Sequence, residues 1–210
     1  MGKFITCFIV SFLFLGFSLE AQDQFRLGLH GGGYYSQAGD GIKLSVTGEI
    51  PFNHFISIRP ELSFVKKPFE HDLATLDPEK EYILTFQHGF EMVVPIKFRF
   101  DFSKWNFFGA IGPYGTSAFE LKGYLVKEAG GQNFRKERIA FEDARLQPYD
   151  IGVSIGGGVE KTIANNKRIV LQAYKNWGLI DIDNQPDGVS FTENLVIMLG
   201  ITIPLGKAKK

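Results

Sequence analysis

The chain has 210 residues, 23 of them basic and 23 acidic, so its formal charge at pH 7 is zero. A neutral chain lacks the basic face that nucleic acid requires, and no nucleic-acid partner is expected. Its 21 Phe and 24 Gly, without a Pro-rich or low-complexity tract, favour closely apposed β-strands, and the length fits one domain or one closed barrel.

In chain order the first element is a leader. Lys3 precedes an apolar run from Phe4 to Phe17, and Ser18-Leu19-Glu20-Ala21 offers a small-residue cleavage site before Gln22. This pattern predicts a secretory signal peptide over residues 1–21, with 22–210 as the domain. The run is shorter than a transmembrane helix needs. Cys7, the single cysteine, falls inside the leader, so the mature chain is expected to carry neither a disulfide nor a cysteine-held metal.

The segments that follow alternate with period two, as strands do. In residues 25–35, Phe25, Leu27 and Leu29 oppose Arg26, Gly28, His30 and Gly32. In 42–52, Ile42, Leu44, Val46 and Ile50 oppose Lys43, Ser45, Thr47 and Glu49. Residues 56–64 set Ile56, Ile58, Leu62 and Phe64 against Ser57, Arg59, Glu61 and Ser63. Residues 82–100 place Leu84, Phe86, Phe90, Met92, Ile96 and Phe98 opposite Glu91, Lys97 and Arg99, with His88 the exception on the apolar side. Residues 105–121 and 168–179 are strand-like but less cleanly sorted. Residues 149–162 set Ile151, Val153, Ile155 and Val159 against Asp150, Gly152, Ser154 and Glu160. The last segment, 194–205, puts Leu195, Ile197, Leu199, Ile201 and Ile203 on one face. That makes eight strands.

Three connections are short, at "PFNHF", "DFSKWN" and "ANNKR". Four are longer: "SQAGDG", then residues 66–80, 123–147 and 180–193. Short turns at one end and long loops at the other predict an eight-stranded antiparallel transmembrane β-barrel, with the short turns periplasmic. A soluble lipocalin-like lipid carrier also alternates, but with its apolar face inward. Here the apolar sets are almost free of charge and suit hydrocarbon, while the Gly-rich polar sets suit a crowded lumen. Aromatic girdles are expected at Phe52, Phe55, Phe102, Trp105 and Phe107 by the short turns. At the other end they are expected at Tyr34, Tyr35, Tyr82, Phe119 and Trp177.

Several motifs resemble reaction centres. Gly152-Val153-Ser154-Ile155-Gly156 matches the G-x-S-x-G nucleophile elbow, but that elbow requires a helix after the serine, and strand pattern follows. Lys161 follows Glu160 instead of Gly, so the phosphate-loop match fails at its centre. Residues 181–188 begin like a calcium loop, yet Gln185, Pro186 and Thr192 stand where the third ligand, the glycine and the twelfth-position glutamate belong. No metal and no cofactor are expected. His71-Asp72 lies in a long connection and is the one candidate for a rim-active hydrolase or acyltransferase.

The inward charges are the site candidates: Arg26, Arg59, Glu61, Glu91, Lys97, Arg99, Asp150 and Glu160, joined by Lys43 and Glu49. A lumen of eight strands is just filled by side chains, and a buried charge without a partner is costly, so these residues are expected to form a structural salt-bridge network. A proton or ion path is the alternative.

On "LGLHGGGYYS", "SIRPELSFVKK", "MVVPIKFRF", "FFGAIGPYG", "DIGVSIGGGVEK" and "NLVIMLGITIPL", the chain resembles the PorT-type outer-membrane β-barrel family of Gram-negative bacteria. The resemblance covers nearly the whole mature chain and implies a fold rather than a reaction. Some members are similar to accessory proteins of a secretion system. Such barrels often end in an aromatic residue, whereas this chain ends "LGKAKK". The expectation is therefore a non-enzymatic barrel of the cell outer membrane, surrounded by outer-membrane lipid. Its long extracellular loops, chiefly 123–147 with "NFRKERIAFEDAR", are expected to bind a protein partner or ligand, as an accessory of secretion or envelope assembly.

Overall fold

The computed structural model describes residues 25–36, 39–73, 81–127, 135–139, 147–180 and 193–205. The leader at 1–21 and the calcium-like stretch at 181–188 lie outside them. The described residues form eleven strands: β1 (Arg26–Ser36), β2 (Gly39–Pro51), β3 (Ile56–Ile58), β4 (Glu61–Leu73), β5 (Glu81–Val93), β6 (Ile96–Phe102), β7 (Trp105–Lys127), β8 (Arg135–Ile139), β9 (Tyr149–Thr162), β10 (Arg168–Gly178) and β11 (Glu193–Pro204). All their pairings are antiparallel.

The hydrogen-bonded order β1-β11-β10-β9-β7-β5-β4-β2 closes on itself where β2 pairs β1, from Arg26↔Glu49 to Ser36↔Gly39. This is the predicted eight-stranded barrel. Two of its staves are each split in two. At the short-turn end β3 and β6 take the places of β4 and β5 between β2 and β7. Proline has no N–H to give a ladder, and Pro60, Pro95 and Pro113 sit side by side at the breaks. Backbone bonds from Arg59 to Pro95 O (2.9 Å), Val94 to Pro113 O (3.0 Å) and Gly48 to Pro60 O (2.8 Å) carry the sheet across.

The three short turns have local causes. Ser103 takes a positive φ of 60° between the paired Phe102 and Trp105. Asn165 and Asn166 do so in the turn after β9 (φ 58° and 56°), a region asparagine tolerates. Asn53 Oδ1 accepts from the backbone N–H of Phe55 and Ile56, both at 2.8 Å.

The faces follow the alternation. Leu29, Ile42, Leu44, Val46, Leu62, Phe90, Phe98, Ile151, Leu171 and Leu199 are exposed on the outside, while Lys43, Glu49, Glu91, Lys97 and Glu160 are buried inside. This polarity is the reverse of a lipid carrier's and excludes that reading. Phe52, Phe55, Phe102, Trp105 and Phe107 form the exposed girdle at the short-turn end; Tyr35, Phe119, Tyr149 and Trp177 are exposed at the other. Tyr34 does not belong to the girdle: its even position turns it inward, fully buried against Val65, Val196 and Met198. The Tyr82 side chain lies outside the described residues.

The long connections are shorter than expected, because strand continues into them. "SQAGDG" is mostly hairpin, with Ser36 paired to Gly39. β4 and β5 remain paired to Leu73↔Tyr82, and β5 and β7 to Glu81↔Lys127. β8, inside the expected 123–147 loop, pairs with β7 from Leu121↔Ile139 to Leu125↔Arg135. A tilted strand crosses a bilayer in about 9–11 residues, and β7 has 23. Contacts to the barrel neighbours stop earlier, at Ile42↔Lys66 for β2–β4 and at Ser117↔Tyr149 for β7–β9. Beyond those points β4, β5, β7 and β8 continue as a four-stranded flap.

Candidate functional site

Period-two alternation aims one side chain in two at the barrel axis, and the charged ones stack in three tiers. At the short-turn end Glu49 of β2 and Glu160 of β9 hold the cations of β6 and β10. Lys97 Nζ lies 3.2 Å from Glu49 Oε2 and also contacts Glu160 Oε1. Arg99 Nη2 donates to Glu49 Oε1 at 2.5 Å. Arg168 Nη1 bridges Glu160 Oε2 (3.1 Å) and Glu49 Oε1 (3.9 Å). Arg26, half-buried at the rim opposite Glu49 in register, donates to Asn166 O at 2.8 Å.

The middle tier is Arg59. Its Nη2 donates to His30 Nδ1 (2.9 Å) and its Nη1 to Tyr174 Oη (3.5 Å), which in turn donates to Gln172 Oε1 (3.3 Å). The guanidinium lies 5.7 Å from the Phe108 ring centroid, with Lys97 Nζ 4.6 Å from the same ring. Two glycines make the space. A Cβ on Gly200 would fall 1.6 Å from the His30 ring, and one on Gly158 would lie 2.2 Å from Leu171 O and 2.8 Å from Phe108 Cζ.

Toward the long-loop end Lys43 Nζ bridges Glu61 Oε1 (2.5 Å) and Glu91 Oε1 (2.8 Å). Lys67 Nζ reaches Glu91 Oε2 (3.0 Å), Thr116 Oγ1 (2.8 Å) and Asp150 Oδ2 (3.9 Å). Tyr114 Oη donates to Asp150 Oδ2 at 3.0 Å. The rings of Tyr34 and Tyr114 flank the Lys67 ammonium at 5.4 and 5.5 Å.

Every predicted lumen charge therefore faces inward, and all but Arg26 are buried. Glu61, Glu91, Lys97, Arg99, Asp150 and Glu160 join the carboxylate–cation pairs described, whereas Arg59 sits among neutral partners. Two members were missed, Lys67 and Arg168. Both fall on the inward parity of their strands, Lys67 continuing Glu61-Ser63-Val65 and Arg168 preceding Val170-Gln172-Tyr174.

Ser154 is buried on the lumen face opposite Asn176, and β9 runs on to Thr162 without a helix. The nucleophile elbow is thereby excluded. Lys161 points outward over the Trp105 ring at 4.9 Å. His71 and Asp72 occupy successive positions of β4, opposite Leu84 and Ile83; their side chains lie outside the described residues. His54 is exposed in the first short turn, and His88 lies on the outer face beside Glu120 (3.4 Å).

Residues 17–184 match the family described as outer membrane protein beta-barrel domain. No curated protein matches the sequence. Among solved structures the chain is similar to the outer membrane protein OprG from Pseudomonas aeruginosa, at 12% identity and a TM-score of 0.49, covering 90% of this chain and 100% of that one. It is similar to the N-terminal β-barrel domain of Pseudomonas aeruginosa OprF (9% identity, TM-score 0.48, 84% and 95% covered). It is likewise similar to Neisserial surface protein A (10% identity, TM-score 0.48, 86% and 96% covered). At such distances no residue or role transfers from them to this chain.

Proposed function

We propose, from the premise that this chain belongs to the outer membrane protein beta-barrel domain family, that it is a non-enzymatic barrel whose extracellular flap receives a protein partner. The barrel lies in the outer membrane, and short periplasmic turns put the flap outside the cell. The observation that carries the proposal is the continuation of β4, β5, β7 and β8 past the last contacts with β2 and β9. Among the described residues the outward edges of β4 beyond Lys66 and of β8 pair with no strand. Such edges recruit a further strand from a partner. The PorT-type resemblance fits an accessory of secretion or envelope assembly, for which an exposed sheet edge is a suitable adaptor.

The test is deletion of residues 128–140, which removes β8 and leaves the barrel ring intact. Cross-linking at the cell surface is expected to recover a partner with the full chain and lose it with the deletion; equal recovery would overturn the proposal. The rim-hydrolase reading is tested separately by His71→Ala, which is expected to leave lipid-ester turnover by purified barrels at background in both forms.

A further inference from the structure

We infer that the periplasmic mouth of the lumen is a binding site for a phosphate-class oxyanion, held by Arg26, Arg99 and Arg168. This site is independent of the extracellular flap. Its basis is a charge count that does not close. Among the described residues four cations, Arg26, Lys97, Arg99 and Arg168, occupy the lower tier, and three of them are buried. The buried carboxylates beside them are Glu49 and Glu160. Lys97, Arg99 and Arg168 all draw on Glu49, and Lys97 and Arg168 also share Glu160. The Arg26 guanidinium meets only a backbone carbonyl among the described residues, and Arg59, one tier up, meets His30 and Tyr174.

An excess of two positive charges at a narrow mouth is costly unless a counter-charge enters. Asp101 shares the inward face of β6 with Arg99, but it is exposed beyond the mouth. The donors left over identify the ligand. Among the described residues Arg99 Nε and Arg168 Nε are buried and have no hydrogen-bond partner. Their side chains are only 8% and 10% exposed. Guanidinium forks with a spare N–H match the paired oxygens of phosphate better than a spherical halide. Arg26, half-exposed at the rim, completes the entrance from the periplasm.

The ligand is either free inorganic phosphate or the phosphate of a lipid headgroup from the inner leaflet, and one experiment separates them. The full chain is folded in a maltoside detergent, and its unfolding temperature is followed by tryptophan emission as inorganic phosphate replaces chloride at constant ionic strength. A saturable rise is expected. Arg26→Gln, at the rim where folding is least at risk, is expected to weaken the apparent affinity several-fold, and Arg99→Gln or Arg168→Gln at least tenfold. Lys104→Gln, an exposed cation at the same end, is expected to leave it unchanged. In vesicles, loss of the phosphate response when phosphatidylglycerol replaces phosphatidylcholine identifies a headgroup as the occupant, and persistence identifies the free ion. An identical rise with chloride, or Arg26→Gln and Arg99→Gln both matching the parent, would overturn the site.

Discussion

Glu49→Gln is expected to be the most destabilising single substitution in the lumen. The change is nearly isosteric and removes one negative charge. That carboxylate is buried, and three cations converge on it: Lys97 at 3.2 Å, Arg99 at 2.5 Å and Arg168 at 3.9 Å. Without it Lys97 and Arg168 retain Glu160, but Arg99 loses its carboxylate altogether. Removing one partner of a buried ion pair costs about 3–5 kcal/mol because the other charge is left uncompensated. At 1.4 kcal/mol per factor of ten, that is roughly a hundred- to several-thousand-fold change in the folding equilibrium. Lys97→Met is the control that isolates the cause. It also breaks two ion pairs, yet Glu49 keeps Arg99, Glu160 keeps Arg168, and the aliphatic chain keeps its place against Phe108. Its cost is therefore expected to stay at about 1–2 kcal/mol. Urea titration in lipid vesicles, followed by the emission of Trp105 and Trp177, measures both. A loss in Lys97→Met equal to that in Glu49→Gln, or a Glu49→Gln loss under about 1 kcal/mol, would refute the reasoning.

The outer face and the glycines give two further tests by the same titration. Leu199, 59% exposed in the middle of β11, faces hydrocarbon, so Leu199→Arg is expected to cost roughly 2–4 kcal/mol; a change near zero would move that face out of the membrane. Gly158→Val is expected to abolish the compact, heat-modifiable band on gels, because its Cβ would lie 2.2 Å from Leu171 O, a backbone atom. Gly109→Ala should fold as the parent does, since its Cβ would approach nothing closer than Gly156 O at 3.9 Å.

The barrel was legible because alternation records a choice between two solvents at every residue, and hydrocarbon tolerates no exception at midplane. His88, the one apparent exception, lies on the outer face but pairs with Glu120 near the flap. The same parity rule contains Lys67 and Arg168, and both were missed for want of applying it to the end of a strand. What parity cannot give is a bulge. Between His88↔Glu120 and Gly89↔Ala118 the strand β7 carries an extra residue, Phe119, and from there Leu121 turns inward although its parity points out. Before the bulge 105–118 alternate regularly, and they sort poorly in sequence because apolar Phe108, Ala110, Tyr114 and Ala118 face the lumen. The flap was read as loop for a related reason: above the bilayer neither face meets lipid, so the strands lose the apolar stripe that announced them below.

The two ends of the lumen differ in a way that bears on what the barrel does. Toward the outside, Lys43 and Lys67 meet Glu61, Glu91 and Asp150, two cations against three carboxylates linked by shared contacts. Toward the periplasm Arg26, Lys97, Arg99 and Arg168 stand against Glu49 and Glu160, four to two. A network selected only to fill eight strands would close its charge tier by tier, because unpaired buried charge is penalised where it sits. The upper tier nearly does so and the lower tier does not, with Arg59 and the Phe108 ring lying between them. The imbalance follows from residues on β1, β6 and β10, strands that are distant in sequence and meet only when the ring closes. Its resolution by an anion makes a specific demand on Glu49→Gln: the variant carries one more uncompensated charge, so phosphate should restore more of its stability than it adds to the parent. An equal gain in both would separate the anion from the salt-bridge network and leave the lower tier's excess charge without a counter-ion.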